Sequence, residues 1–161
     1  MRKLYVDTCL IIAYFHINEP NNQHQRAINF FDGVDPLDDI ELCLSRFSIT
    51  EFTQAYVTKP NITDEQAYKT SNVLLLTQKI DKKYSFTLLK TEGKNKKYKF
   101  EDLFLDIQTF LLSTTPRPGI ADVIHAAIME NNEIFEIVTF NKSDFINMVN
   151  ITPFEPEEIN Y

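Results

Sequence analysis

The chain alternates short β-type runs with stretches of helical periodicity, and this alternation restricts it to few architectures. KLYV (3–6), ELCLS (41–45), YSFTLLK (84–90) and FEIVTF (135–140) read as strands, and VNITPF (149–154) reads as an edge strand. Helical patterns lie between them. They are TCLIIAYFHI (8–17), NQHQRAINFFD (22–32), FSITEFTQAYVT (47–58), a helix opening at Thr63-Asp64-Glu65 and ending near Lys79, EDLFLDIQTFLLS (101–113) and GIADVIHAAIMEN (119–131). The spacing in 101–113 places Leu103, Phe104, Ile107, Phe110 and Leu111 on one apolar face. Strands separated by helices predict a parallel sheet covered on both faces. A length of 161 residues predicts a single domain spanning 1–161.

Composition narrows the setting. No apolar run approaches the ~18 residues of a membrane span. The opening MRKLYVDTCLIIAYF carries Asp7 inside its apolar run, with no small-residue cleavage site after it, and is not read as a signal peptide. Cys9 and Cys43 are the only cysteines, which is no disulfide framework and fits a reducing, cytoplasmic location. Net charge is −7, yet Lys79–Lys99 holds eight lysines against Asp81 and Glu92. That strip reads as a lysine-rich insertion or hairpin around 84–100, either solvated or able to track a nucleic-acid backbone with Tyr84, Tyr98 and Phe100. The terminal FEPEEINY reads as an acidic tail that frays.

In parallel sheets, ligands bind beyond the carboxyl ends of the strands. Asp7 follows the first strand, Glu51 lies on the helix after the second, and Asp122 stands in the first turn of its helix. Asn141 and Asp144 follow the strand FEIVTF. Each has an ordinary alternative: a helix cap for Asp7 and Asp122, a solvated side chain for Glu51, a loop or cap residue for the last two. Their shared placement on one side of the sheet points further. Gathered carboxylates repel unless a divalent cation lies among them, and oxygen-only ligation indicates Mg²⁺ or Mn²⁺. The matching chemistry is phosphodiester hydrolysis.

Three segments resemble the motifs of PIN-domain ribonucleases, similar to the toxin nucleases of bacterial type II toxin–antitoxin systems. They are LYVDTCLIIAYF, LSRFSITEF and GIADVIHAAIMENNEIFEIVTFNKSDF, in the family's order and spread over nearly the whole chain. The resemblance implies an α/β/α sandwich, three layers around a central parallel sheet, and a metal-dependent endoribonuclease, a hydrolase acting on RNA. Asp7, Glu51 and Asp122 match the three main acidic positions and would hold Mg²⁺ or Mn²⁺ and orient the water. Asn141 stands where the fourth acid is usual, and Asp144, one turn on, could replace it as a metal ligand. Cys9 stands where Asn is frequent, and reads as a packing residue. Thr8, Ser48 and Thr139 would support the carboxylates or the water. Arg46, Arg117 and Lys142 flank the motifs and could neutralise RNA phosphates. His125, on the same helix face as Asp122, reads as a core or supporting histidine ahead of a metal ligand. The family also implies a homodimer and an antitoxin partner, with no membrane attachment. The competing reading is a catalytically weakened PIN-like module that binds RNA or protein, favoured by Asn141 and the net charge. An aspartyl-phosphate phosphatase using Asp7 ranks last, because the second Asp such enzymes place two residues on is Cys9 here.

Overall fold

In a computed structural model, which describes residues 1–35, 37–91 and 100–160, the alternation becomes one five-stranded parallel sheet flanked by helices. Strand β1 (Arg2–Val6) leads into α1 (Thr8–Phe15), and α2 (Gln23–Val34) returns to β2 (Ile40–Ser45). Helices α3 (Arg46–Val57) and α4 (Asp64–Thr77) precede three short strands, β3 (Lys79–Ile80), β4 (Tyr84–Ser85) and β5 (Thr87–Leu89). Next come α5 (Phe100–Ser113), α6 (Ile120–Asn131), β6 (Glu136–Val138), α7 (Lys142–Phe145) and β7 (Thr152–Phe154). The sheet order is β5-β2-β1-β6-β7, with every pairing parallel.

The strands alternate faces with a period of two, and this divides the core into two layers. Leu4 and Val6 of β1, Leu42 and Leu44 of β2 and Val138 of β6 pack with α1, α2, α3 and α4. Tyr5, Cys43 and Ile137 face the other way, toward α5, α6 and α7. Buried on both sides, β1 has no solvated face, so its one polar ring, Tyr5, must find its hydrogen bonds inside the protein.

Local chemistry explains where the helices begin and end. Ser45 and Ser48 cap α3 reciprocally, as Thr63 and Gln66 cap α4. The Glu19–Asn22 turn before α2 uses left-handed backbone at Asn21 and Asn22 (φ 54° and 57°), a conformation asparagine tolerates. Pro153 lies in β7 at the sheet edge, where its missing N–H leaves no ladder bond unmade.

Four sequence expectations need correction. YSFTLLK is two strands, not one: β4 pairs antiparallel with β3, and β5 joins the main sheet beside β2. The change occurs after Phe86, whose N–H donates to the Gln78 carbonyl and so continues the β3–β4 pairing by one residue before Thr87 joins β2. Phe104 is exposed, whereas Leu103, Ile107 and Phe110 are buried, because residue 104 falls about 100° around the helix from that stripe. Over residues 154–160 the terminal segment packs against the domain rather than fraying. Ile159 is buried, and Arg26 donates to Glu155 and Glu157 with its guanidinium 4.9 Å from the Phe140 ring centre. Asp144, read as a loop or cap residue, lies inside the short α7, whose N-cap position is Asn141. The hairpin expected around 84–100 falls partly on residues 92–99, outside the described residues.

Cys9 and Cys43 are both free thiols, and no helix among the described residues is long and apolar enough to cross a membrane. Phe52, fully buried, stacks on Tyr56 with ring centres 4.8 Å apart and lies against Phe15. Phe52→Ala is expected to cost about 3–5 kcal/mol, the usual range for deleting a buried aromatic ring, read from the urea midpoint at unchanged slope.

Candidate functional site

Sheet register builds the first part of the site. Tyr5 pairs with Ile137 and Val6 with Val138, so the next residues on each strand, Asp7 and Thr139, come side by side at the carboxyl edge. The Asp7 N–H extends the ladder to the Val138 carbonyl at 3.0 Å. Asp7 occupies the N-cap position of α1, but its carboxylate makes no capping bond. Instead Oδ2 accepts from Thr139 Oγ1 at 2.6 Å and from Cys9 Sγ at 3.0 Å. Both donors take the same oxygen, leaving Oδ1 for another partner. Burial and the Asp7 carboxylate push the Cys9 thiol well above its ordinary pKa, so it stays a protonated donor.

Glu51 comes from α3, two turns after its cap. It is half-buried, and Oε2 accepts from His125 Nε2 at 2.8 Å. Burial raises the Glu51 pKa, but the His125 hydrogen bond and charge outweigh it and leave Glu51 below the ordinary glutamate range. The nearby Thr8 hydroxyl acts in the same direction, yet it meets hydrogen-bond geometry with no group and is left buried without a partner.

Asp122 stands in the first turn of α6, behind Gly119 at the N-cap. A Cβ on residue 119 would lie 2.6 Å from Asp122 Oδ2, so this carboxylate folds back over a position that only glycine leaves open. The Asp122 pKa is pushed up to about 6. Burial is the main cause, followed by the negative charges of Asp144 and Asp7, with Glu51 adding and His125 opposing. Four carboxylates thus share one field. One ligand atom each from Asp7, Glu51 and His125 lie within 4.8 Å of one another.

The remaining predicted residues divide. Thr139 reaches Asp7 and accepts from the Asn141 N–H at 2.9 Å. Ser48 is fully buried but bonds to Ser45 and Tyr5, not to a carboxylate. Asn141 and Asp144 are both exposed at α7, and of the two only Asp144 carries a charge that acts on Asp122. Lys142 Nζ is held by both Glu158 oxygens, at 2.8 and 2.7 Å, while Arg46 and Arg117 are exposed. The described part of the lysine strip lies elsewhere. The Lys90 carbonyl accepts from Asn132, just past the C-terminal end of α6, and the rise along that helix puts about 15 Å between Asn132 and Asp122. Sequence reasoning missed Tyr5 and Gly119. A tyrosine at an inward position of a buried strand, and a glycine three residues before a candidate ligand, were the available signals.

No protein-family model and no curated protein sequence matches the chain. Solved structures do. FitAcB from Neisseria gonorrhoeae superposes with a TM-score of 0.60 at 16% identity, over 97% of this chain and 99% of that one. VapC20 from Mycobacterium tuberculosis, a sarcin-ricin loop cleaving toxin, gives 0.63 at 13% identity over 92% and 98%. VapBC2 from Rickettsia felis, bound to a DNA fragment from its promoter, gives 0.64 at 12% identity over 95% and 98%. The chain therefore has the PIN-domain fold of these toxins, at identities that establish the fold alone.

The raised Asp122 pKa has a consequence for stability. Between about pH 4 and pH 6 the folded protein binds more protons at Asp122 than the unfolded chain does, so stability falls as pH rises through that window, and the whole cost is present above it. In EDTA at pH 7, Asp122→Asn is expected to stabilise the protein by about 1 kcal/mol, a figure discounted for the half-exposed position. The gain should vanish at pH 4, as read by urea denaturation at the two pH values.

Proposed function

We propose that the chain is a divalent-metal-dependent endoribonuclease, with Asp7, Glu51 and Asp122 holding Mg²⁺ or Mn²⁺ and RNA as its substrate. The observation that carries this reading is the gathering of acids at the carboxyl edge, close enough that Asp122 is pushed to about pH 6 by burial and by Asp144, Asp7 and Glu51. A cation placed there relieves that repulsion. The residues fit one. The carboxylates offer hard oxygen donors, and the buried Thr8 hydroxyl next to them lacks a partner. When bound, a divalent cation lowers the pKa of a water and offsets charge on the phosphoryl oxygens.

The chain's own groups do the rest. Thr139 and Cys9 hold the Asp7 carboxylate by Oδ2 and so fix the direction in which Oδ1 points. Glu51 and Asp122 orient the attacking water, with no covalent nucleophile. Asp144, rather than Asn141, supplies the fourth negative charge. Arg46 and Arg117 are exposed and in reach of solvent phosphates, whereas Lys142 would first have to leave Glu158.

The setting proposed is a single PIN-like domain over 1–161, in the cytoplasm, acting as the toxin of a toxin–antitoxin pair and forming a homodimer. The similarity to VapBC and FitAB, solved with DNA fragments, supports a small antitoxin partner.

The test is cleavage of a mixed tRNA and rRNA pool with Mg²⁺, with Mn²⁺ and with EDTA. Cutting is expected with either metal and not with EDTA, and Asp7→Asn should slow it by about 100-fold or more, the equivalent of a few kcal/mol of lost transition-state stabilisation. Folded protein that cuts no RNA in either metal would replace this reading with a binding module.

A further inference from the structure

The proposed ligand set leaves unexplained a buried polar network behind it. His125 is 1% exposed, and both ring nitrogens are engaged: Nε2 with Glu51 Oε2 at 2.8 Å and Nδ1 with the Tyr5 hydroxyl at 2.8 Å. The fully buried Tyr5 hydroxyl also meets Ser45 Oγ at 2.8 Å and Ser48 Oγ at 2.9 Å. Those two serines are fixed in turn by the reciprocal cap of α3. The path therefore closes on itself. It starts at the first turn of α3, crosses to β1 through Tyr5 and to α6 through His125, and returns to α3 at Glu51.

We infer that His125, anchored by Tyr5, is a positioning residue that holds Glu51 by one oxygen and presents the other, Oε1, to the cation; this rests on the nuclease reading above. An ionised carboxylate only accepts, so Nε2 carries the proton at that contact, and the imidazole has no lone pair directed into the site. The ring is also clamped by packing. Phe47 stands against it at 5.0 Å between ring centres and Tyr5 at 5.5 Å, both edge-on. Rotation of the ring would break both hydrogen bonds at once. A network of this kind is costly to bury and rewards the fold little over apolar packing, so its value lies in fixing the direction of Glu51. Supporting hydrogen bonds of this type typically change metal affinity by about 10–100-fold when removed.

The experiment is Mn²⁺ binding to the full chain, followed by EPR, with folding checked by circular dichroism and thermal melts. The proteins are wild type, Asp7→Asn, His125→Leu, His125→Gln and Tyr5→Phe. His125→Leu is expected to weaken Mn²⁺ binding about tenfold or more, and Tyr5→Phe by a few-fold. His125→Gln, whose amide can still donate to Glu51, should restore affinity to within about threefold of wild type by the same logic. Pulsed EPR of the wild-type complex should show no directly coordinated ¹⁴N. Wild-type affinity in folded His125→Leu and Tyr5→Phe overturns the inference, and so does a directly bound ¹⁴N, which would make His125 a ligand. If His125→Leu does not fold, Tyr5→Phe decides alone, since it removes a single oxygen. Absence of Mn²⁺ binding in the wild type, or binding unchanged by Asp7→Asn, would instead reject the metal site itself and the positioning role with it.

Discussion

The parallel pairing of β1 with β6 and β2 fixes most of what matters in this protein. A strand held by ladders on both sides cannot slip by one residue without turning Leu4 and Val6 off their core and Tyr5 into it. The same register delivers Asp7 beside Thr139 and ends β2 at Ser45, the cap of the helix that carries Glu51. The acids are brought together by backbone geometry that the hydrophobic core pays for. Their mutual repulsion is then tolerated, as the displaced Asp122 pKa records.

The two faces of the sheet are not equivalent. The side covered by α1, α2, α3 and α4 is an apolar layer rich in phenylalanine, with Phe30, Phe31 and Phe52 fully enclosed. The side covered by α6 carries a polar thread inside its apolar layer: Tyr5, His125, Ser45 and Ser48. Each of these groups has its hydrogen bonds made within the protein. Both faces bury an apolar core, and the second face adds directional control at the edge where the acids meet. Gly119 serves the same end by omission, since any side chain there would displace the Asp122 carboxylate.

Much of this was legible in the sequence because it depends on local periodicity. The strands β1, β2 and β6, the start of α4 at Thr63 and the acids after each strand are all written within a few positions of one another. What was not legible depends on the third dimension. YSFTLLK alternates like one strand, but nothing in the alternation shows that its first half, through the Phe86 N–H on the Gln78 carbonyl, pairs with β3 and only its second half with β2. FEPEEINY looks like a loose acidic tail until Arg26, more than a hundred residues earlier, is placed against it. Asp7 has the position of an ordinary helix cap, and only the Thr139 contact shows that its carboxylate is turned to other use. His125 was visible as a neighbour of Asp122 on one helix face, yet its real partners, Glu51 and Tyr5, are 74 and 120 residues away.

The distribution of charge bears on how an RNA would approach such a site. The acidic edge repels a polyanion. Among the described residues, Lys83 pairs with Asp32 on α2, and Lys90 lies at the far end of α6 from Asp122. Lys142, the lysine nearest in sequence to the acids, is neutralised by Glu158. Arg46 and Arg117 are exposed. Among the described residues, the lysines therefore do little to draw substrate to the carboxylates, unlike proteins whose nucleic-acid affinity comes from a basic groove. In the reading proposed here, the positive charge facing the phosphate is supplied mainly by the cation that the carboxylates hold. Metal occupancy would then govern substrate approach as well as the chemical step.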